Sequence, residues 1–566
     1  MNQVIFLILR RMRAPLVVLI VAYAIAILGM VLIPGTDPAG NPWRMDFFHA
    51  FYFVSYMATT IGFGELPYEF NEAQRMWVMV SVYLSVIAWL YAIGKILTLV
   101  QDPTFKQAVV ESSFARGVRH ISEPFYIICG YGDTGSLLVR AMAQRNMRTV
   151  VVDINPERIN ELQLEDLYFY VPGVCADASL TVTLRGAGLL HRNCAGVVAL
   201  TSDDQVNLKI AITTKLLHPG IKVICRAETH DAEANMASFG TDRIINPFDT
   251  FAHRLALALH SPGTHLLYEW LTGVPGAPLP VPLYPPHGTW VLCGYGRLGK
   301  AMKMNLDREG VKTVIVETHP EETGCAGFCV VGRGTEAETL RAAGIEQAAG
   351  IVAGTDNDAN NLSIVMTAAQ LNPDMFMVAR QNKRDNHEIF QAALLDLVMQ
   401  RSEIIARDIF AMITTPLLGD FLRLILGQSN EWANEQVSRL TAVVGDQVPD
   451  IWFFQVDEEH APALMEVLGK GAPVLIEELL RNSRDRSEQL SCLPLLLMRH
   501  DGEALLFPEG EVSVEEGDRL LFAGGIGAYE RMKWTLENYK ALRYVQTGTD
   551  IPSGYLWRKF ARERHT

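Results

Sequence analysis

Two long apolar runs open the chain, separated by an aromatic and glycine-rich segment. Short apolar strands alternating with amphipathic stretches fill the remainder. Leu16 to Ile33 is an 18-residue run without a charge, closed by Pro34-Gly35, at the short end of what a bilayer-crossing helix needs. A secretory signal peptide competes for this run, because Arg10, Arg11 and Arg13 precede it. The run is long for a signal core, and Ile33-Pro34 offers no small-residue cleavage site, which favours a retained helix. A second run, from about Met76 to Val100, can cross with some tilt. Between the two, Asn41-Pro42 predicts an N-cap with proline in the first turn. Trp43 to Ala58 then reads as a short aromatic helix that cannot span.

The segment after that helix carries the most specific chemistry: Thr59, Thr60, Ile61, Gly62, Phe63, Gly64 and Glu65. Removing the water shell of a potassium ion requires closely spaced oxygens, and an extended run of backbone carbonyls supplies them without adding charge. Gly62 and Gly64 suit such a strand because it needs backbone angles that a Cβ opposes. Thr60 can add its hydroxyl. The preceding helix would turn its carbonyl end towards the ion path, where the helix dipole favours a cation. Gly94, late in the second run, permits either bending or close helix contact.

Charge sets the orientation. Arg10, Arg11 and Arg13 precede the first run, and Lys106, Arg116 and Arg119 follow the second. The intervening loop holds Asp37, Asp46, Glu65, Glu69 and Glu72 against Arg44 and Arg75, so both termini are expected to be cytoplasmic. The net charge of −14 argues against nucleic acid as a partner. Eight cysteines are scattered without metal-ligand spacing and read as free thiols of a reducing compartment.

The 566-residue chain is too long for one domain, and its second part is a duplication. Phe125-Tyr-Ile-Ile-Cys-Gly130-Tyr131-Gly132-Asp133-Thr134-Gly135 matches Thr289-Trp-Val-Leu-Cys-Gly294-Tyr295-Gly296-Arg297-Leu298-Gly299. Each is an apolar strand entering G-x-G-x-x-G. Each leads to a second strand ending in an acid, Asp153 or Glu317, 23 residues after the first glycine. Further on, Asp204 and Asn207 match Asp358 and Asn361, and Arg226 matches Arg380. Strand, glycines, helix and acid, found twice, predict two doubly wound parallel sheets. The glycines would admit a phosphate to the helix N-terminus, and the acids would accept from ribose hydroxyls while repelling a 2′-phosphate. Asp177 and Arg333 hold corresponding places after the third strands; Arg333 is either a phosphate partner or a surface charge.

The glycine strand resembles the selectivity filter of tetrameric potassium channels, with Ile61 for the usual valine, Phe63 for tyrosine and Glu65 for aspartate. The duplicated part resembles the domains that regulate potassium conductance, also found in potassium uptake systems. Together they resemble a two-transmembrane-helix prokaryotic potassium channel with two tandem regulatory domains of the TrkA-N type. The resemblance implies a homotetramer in the inner (plasma) membrane, in contact with lipid, with eight regulatory domains forming a cytoplasmic ring. It implies a membrane α-helical pore domain, two Rossmann-like α/β domains and a small β-rich C-terminal subdomain. The expected divisions are a pore domain at 1–100, a linker at 101–123, the first nucleotide domain at 124–272 and a linker at 273–288. The second nucleotide domain follows at 289–440, the β-rich subdomain at 441–545 and a tail at 546–566. Thr250–Leu271 and Ser402–Ile425 correspond to crossover helices that join neighbouring domains.

Calcium-gated relatives bind divalent ions with carboxylates of the first domain. By position, Asp203 and Glu228 match two of those ligands, whereas the third falls at Arg226, where a guanidinium opposes a cation. The expected function is therefore a potassium channel, not an enzyme, gated by an adenine nucleotide (ADP or AMP) or NAD, with calcium carried as a further candidate. Two other classes compete: a membrane-anchored nucleotide-binding regulator, and an NAD-dependent dehydrogenase. The second lacks a recognisable catalytic constellation. Replacing Gly62 or Gly64 with a bulky residue distinguishes a channel, which loses flux while nucleotide binding survives.

Overall fold

The computed structural model describes residues 2–549, so the expected tail lies outside the described residues from position 550 onward. The chain divides into two compact units, one running to Ser122 and the other holding Glu123–Arg185 and the chain from Leu189 onward.

The first unit contains the helix Asn2–Leu32, a short helix Phe47–Ala58 and the helix Glu72–Gln101. Met12–Leu32 and Glu72–Gln101 are long and apolar enough to cross a membrane. They pack through small residues: Trp77 lies so close to Gly29 that a Cβ there would meet its indole at 2.0 Å. The Trp77 Nε1–H also donates to the Ala26 carbonyl at 3.1 Å. The short helix seats Ala50, Phe53, Val54 and Tyr56 against Ala26 and Met30.

Its start differs from the expected one. Asn41 is used in a turn, where its backbone N–H donates to Asp37 at 2.8 Å. Pro42-Trp43 pairs with Gly35-Thr36 as a short antiparallel ladder. The helix begins four residues later than Trp43, at Phe47, capped by Asp46, which accepts from the His49 backbone N–H at 2.8 Å. The expected linker holds a helix, Pro103–Arg119, with Arg116 and Arg119 in its last turn, where the dipole favours cations.

The second unit contains two six-stranded parallel sheets of the same order. In space the first runs Gly173–Cys175, Arg148–Asp153, Phe125–Cys129, Cys194–Ala199, Lys222–Arg226 and Arg243–Ile245. The second runs Cys329–Val331, Lys312–Glu317, Thr289–Cys293, Gly350–Ala353, Phe376–Gln381 and Leu397–Gln400. Strand order reverses beside each glycine-bearing strand, the switch point where doubly wound sheets place ligands.

Each repeat ends in a helix pair broken at proline: Pro247–His260 then Pro262–Leu271, and Arg401–Thr414 then Pro416–Ile425. The first members are exchanged between repeats. Phe251, Leu255 and Leu259, from the first repeat, pack on Leu298, Met302 and Leu306 of the second. Ile405, Ile409 and Ile413, from the second, pack on Leu138, Val139 and Met142 of the first. The later members, with Leu267, Trp270, Leu417 and Phe421, cover the C-terminal antiparallel strands through Leu495, Leu496 and Leu521. That sheet runs Asp450–Gln455, Arg519–Gly524, Cys492–Met498 and Ala504–Leu506.

Candidate functional site

In the first unit, Thr60, Gly62 and Gly64 have φ of 61°, 67° and 100°, so every second residue of the strand is left-handed. This alternation suits a run of carbonyls presented to one side, and it falls on glycine at two of three places. Among the described residues, no N–H or O–H donates to the carbonyls of Thr59, Thr60, Ile61, Gly62 or Phe63. The Gly64 carbonyl is occupied, because the Tyr56 hydroxyl donates to it at 2.6 Å. The Tyr56 ring also meets the Phe63 ring edge-on at 5.4 Å. A tyrosine on the short helix thus braces a strand that has phenylalanine at position 63. Sequence reasoning missed Tyr56, and the signal available was a tyrosine eight residues before Gly64 on the helix entering the strand. Glu65 receives Arg75 through two bonds, at 2.9 and 3.1 Å, and the Phe70 backbone N–H at 2.7 Å. Arg75 first, and the Phe70 N–H second, hold the Glu65 carboxyl below its ordinary range. Gly94 lies inside Glu72–Gln101 with open space around it, and the Thr98 hydroxyl donates to its carbonyl at 2.7 Å. Such back-bonding often bends helices.

The two glycine loops of the second unit share one geometry. Gly130 and Gly294 have φ of 105° and 95°. A Cβ on Gly135 would lie 2.0 Å from the Gly130 carbonyl oxygen, and one on Gly299 would lie 2.1 Å from that of Gly294. Helix and turn therefore approach more closely than any side chain allows. Gly132 and Gly296 cap the helices Asp133–Gln144 and Arg297–Arg308 without a side-chain bond, so a phosphate can take those N–H groups. Gly296 faces open space, whereas Arg158 lies over Gly132.

Asp153 and Glu317 are buried where the second strands end, and they brace these loops. Asp153 accepts from the backbone N–H of Tyr131 at 2.5 Å and of Asn155 at 2.7 Å. Glu317 accepts from Tyr295 and Thr318 N–H, both at 2.7 Å, and from His319 N–H at 3.0 Å. Burial pushes the Glu317 carboxyl up, but those N–H groups outweigh it and hold it low. A nucleotide fits a pre-shaped cradle with an anion at the strand end. Asn207 and Asn361 support both cradles in the same way, each accepting from the backbone N–H of Thr201 or Thr355, in the turn before its helix, and donating to the carbonyl of Arg226 or Arg380. Asp177 accepts from Ser179 N–H at 2.8 Å, and Arg333 is exposed with its guanidinium unpaired among the described residues. Thr134 and Leu298 are buried in the first turns of their helices.

The repeats differ at the fourth position of the loop. Asp133 stands where the second has Arg297, and Arg297 reaches across to Glu228 of the first repeat. Glu228 also receives Arg226 and, at 2.8 Å, Arg401. Phe248 lies under Arg297 and Arg380, with 5.1 and 5.0 Å between guanidinium carbon and ring centre. Burial, then Arg401, push both Arg226 and Arg380 down to about 10. The expected divalent pair has other partners here. Both Glu228 oxygens are held by guanidinium groups, and Asp203 caps the helix Asp204–Leu217 through the N–H groups of Gln205 and Val206. A carboxylate already facing three cations does not recruit a fourth.

These features define a membrane pore segment joined to paired nucleotide-type domains. The ion channel family model matches residues 16–102, and the TrkA-N domain model matches twice, over 126–247 and 290–401. A Trk system potassium uptake protein TrkA homolog of Methanothermobacter thermautotrophicus is 31% identical over 169 residues, 28% of this chain and 76% of that protein. The probable potassium channel protein 2 of Methanocaldococcus jannaschii is 24% identical over 222 residues, 39% of this chain and 62% of its own. The chain thus spans about three fifths of the length of the Methanocaldococcus channel proteins it matches, 62% and 59%. A solved structure of the GsuK channel bound to NAD is 17% identical, with a TM-score of 0.46, over 94% of this chain and 99% of that one. The chain belongs to the family of TrkA-N domain proteins, with an ion channel segment ahead of its two TrkA-N domains.

Proposed function

We propose that this chain is one subunit of a potassium-selective channel whose conductance is set by adenine nucleotide or NAD(H) at the glycine loops. The observation that carries the conduction half is the segment Thr59–Phe63, with left-handed geometry at alternate residues and carbonyls that no donor among the described residues occupies. One strand cannot encircle an ion. Four subunits around an axis would, and their eight Rossmann-like domains would form a cytoplasmic ring. The two apolar helices and the distribution of lysine and arginine support an inner-membrane protein with both termini cytoplasmic. We divide the chain as the sequence suggests: pore to 100, regulatory domains at 124–272 and 289–440, and a β-rich subdomain at 441–545.

Gating would use the exchanged helices. Each repeat's fold includes a helix from the other, so a ligand that tightens one loop changes how both repeats pack. A ligand shifts the pore only by its different affinity for the two arrangements, and a few kcal/mol converts a mostly closed population into a mostly open one. Asp153 and Glu317 favour a free 2′-hydroxyl, hence NAD, ADP or AMP over NADP. Glu228 and Asp203 are engaged by guanidinium and backbone N–H groups, so calcium is not part of this reading.

The test is potassium flux into liposomes containing the purified chain, with and without NAD(H) and ADP. Barium-sensitive flux that excludes sodium and changes with nucleotide supports the reading. Nucleotide binding without selective flux under any condition replaces it with the membrane-anchored regulator.

A further inference from the structure

A cavity lies away from both glycine loops, where several segments of the second unit meet. Its volume is about 850 Å³, within the range of small-molecule sites. One wall is the end of the first repeat's helix Asp133–Gln144, another is the turn after the second repeat's fifth strand, and a third is the helix Arg401–Thr414. The inter-repeat connection Thr272–Pro275 and, from the C-terminal subdomain, Asp450 and Ile526 also line it.

Its chemistry is uneven in an informative way. Lys383 and Arg384 line it, exposed, with neither side chain engaged by a carboxylate among the described residues. The other lining arginines are spent: Arg145 on Asp450 at 3.1 Å, and Arg407 on Glu269. Gln381 is 3% exposed and donates to the carbonyls of Lys383 and Arg384 at 2.8 and 3.3 Å. Leu137, Ala141 and Phe410 add apolar surface to the same cavity. Glu403 supplies one further acceptor.

We propose that this cavity is a ligand site for a small organic anion with an aromatic body. The acidic group sits on Lys383 and Arg384, and the body lies on Phe410 and Ala141. Because the walls come from both repeats, the connection and the subdomain, occupancy holds these parts in their present packing.

Pyridoxal 5′-phosphate is a probe of this class. Its aldehyde condenses with the Lys383 amine, releasing water, and borohydride reduces the resulting imine to a stable secondary amine that peptide mass spectrometry locates. With the full chain in lipid nanodiscs, labelling of Lys383 at low reagent should exceed that of exposed Lys222 by roughly tenfold. Ile526 is 86% exposed, so Ile526→Glu leaves the fold intact while placing a carboxylate at the mouth. Ala141→Trp fills the apolar wall. Each should cut Lys383 labelling by roughly fivefold or more without changing Lys222, since each opposes binding and neither touches the lysine. Lys383 reacting no faster than Lys222, or equally in the parent and both variants, overturns the proposal.

Discussion

Glu228 of the first repeat and Arg297 of the second form an ion pair that joins one sheet to the glycine loop of the other. A phosphate arriving at the second loop would draw on the same guanidinium that Glu228 holds. Ligand binding at one repeat would thereby be linked to a contact of its neighbour. Glu228→Gln should release Arg297 and tighten nucleotide binding at the second loop. It should also lower stability by about 3–5 kcal/mol, because Arg226 and Arg401 lose their buried counter-charge. Calorimetric titration with ADP or NAD, with a thermal melt of the same sample, reads both. Unchanged affinity with lowered stability would remove the link and leave a structural ion pair.

The brace on the pore strand leads to a second expectation. Tyr56→Phe removes the hydroxyl that meets the Gly64 carbonyl and should weaken the conducting conformation by about 0.5–1.5 kcal/mol. Potassium-over-sodium permeability in liposomes should fall by several-fold. Phe63→Tyr in the same chain should restore part of it by returning a hydroxyl to the strand. Full selectivity in Tyr56→Phe would show that the bond is incidental.

Legibility in the sequence followed the range of the interactions involved. The glycine loops, the acids at strand ends and the pore strand are each set within about two dozen residues, and each was readable. The pore helix start was misplaced because Asn41 is drawn into a turn by Asp37, a competition that capping preference alone does not resolve. The helix exchange was not readable. Leu255 and Ile409 show the same amphipathic spacing whichever sheet they cover, and only long-range packing decides. Glu228 was readable as an acid beside a strand. That Arg297 and Arg401 would reach it depends on where the second sheet sits.

Exchange makes a distinct prediction about stability. Ile409 is fully buried, belongs to the second repeat and packs on Leu138 and Met142 of the first. Ile409→Ala should destabilise by about 2–5 kcal/mol. Amide exchange should accelerate in 125–152 more than in 289–317, the opposite of what a repeat closed on itself would give. Faster exchange confined to the second repeat would refute the exchange.

The crossovers also carry a pH dependence with a definite sign. His265 is buried in the helix Pro262–Leu271, and burial first, with Arg254 and Arg407 adding to it, pushes its pKa below the ordinary value. His253 shifts the same way, from burial and then from Arg308 and Arg254. A histidine with a lowered folded pKa binds fewer protons folded than unfolded, so its contribution is complete above about pH 6.5 and is lost as pH falls below it. Melting temperature measured in lipid should therefore drop between about pH 6.5 and 5. His253→Gln and His265→Gln together should flatten that limb relative to the parent, even if the variant is less stable at pH 8. An unchanged slope in the double variant would assign the acid limb to other groups.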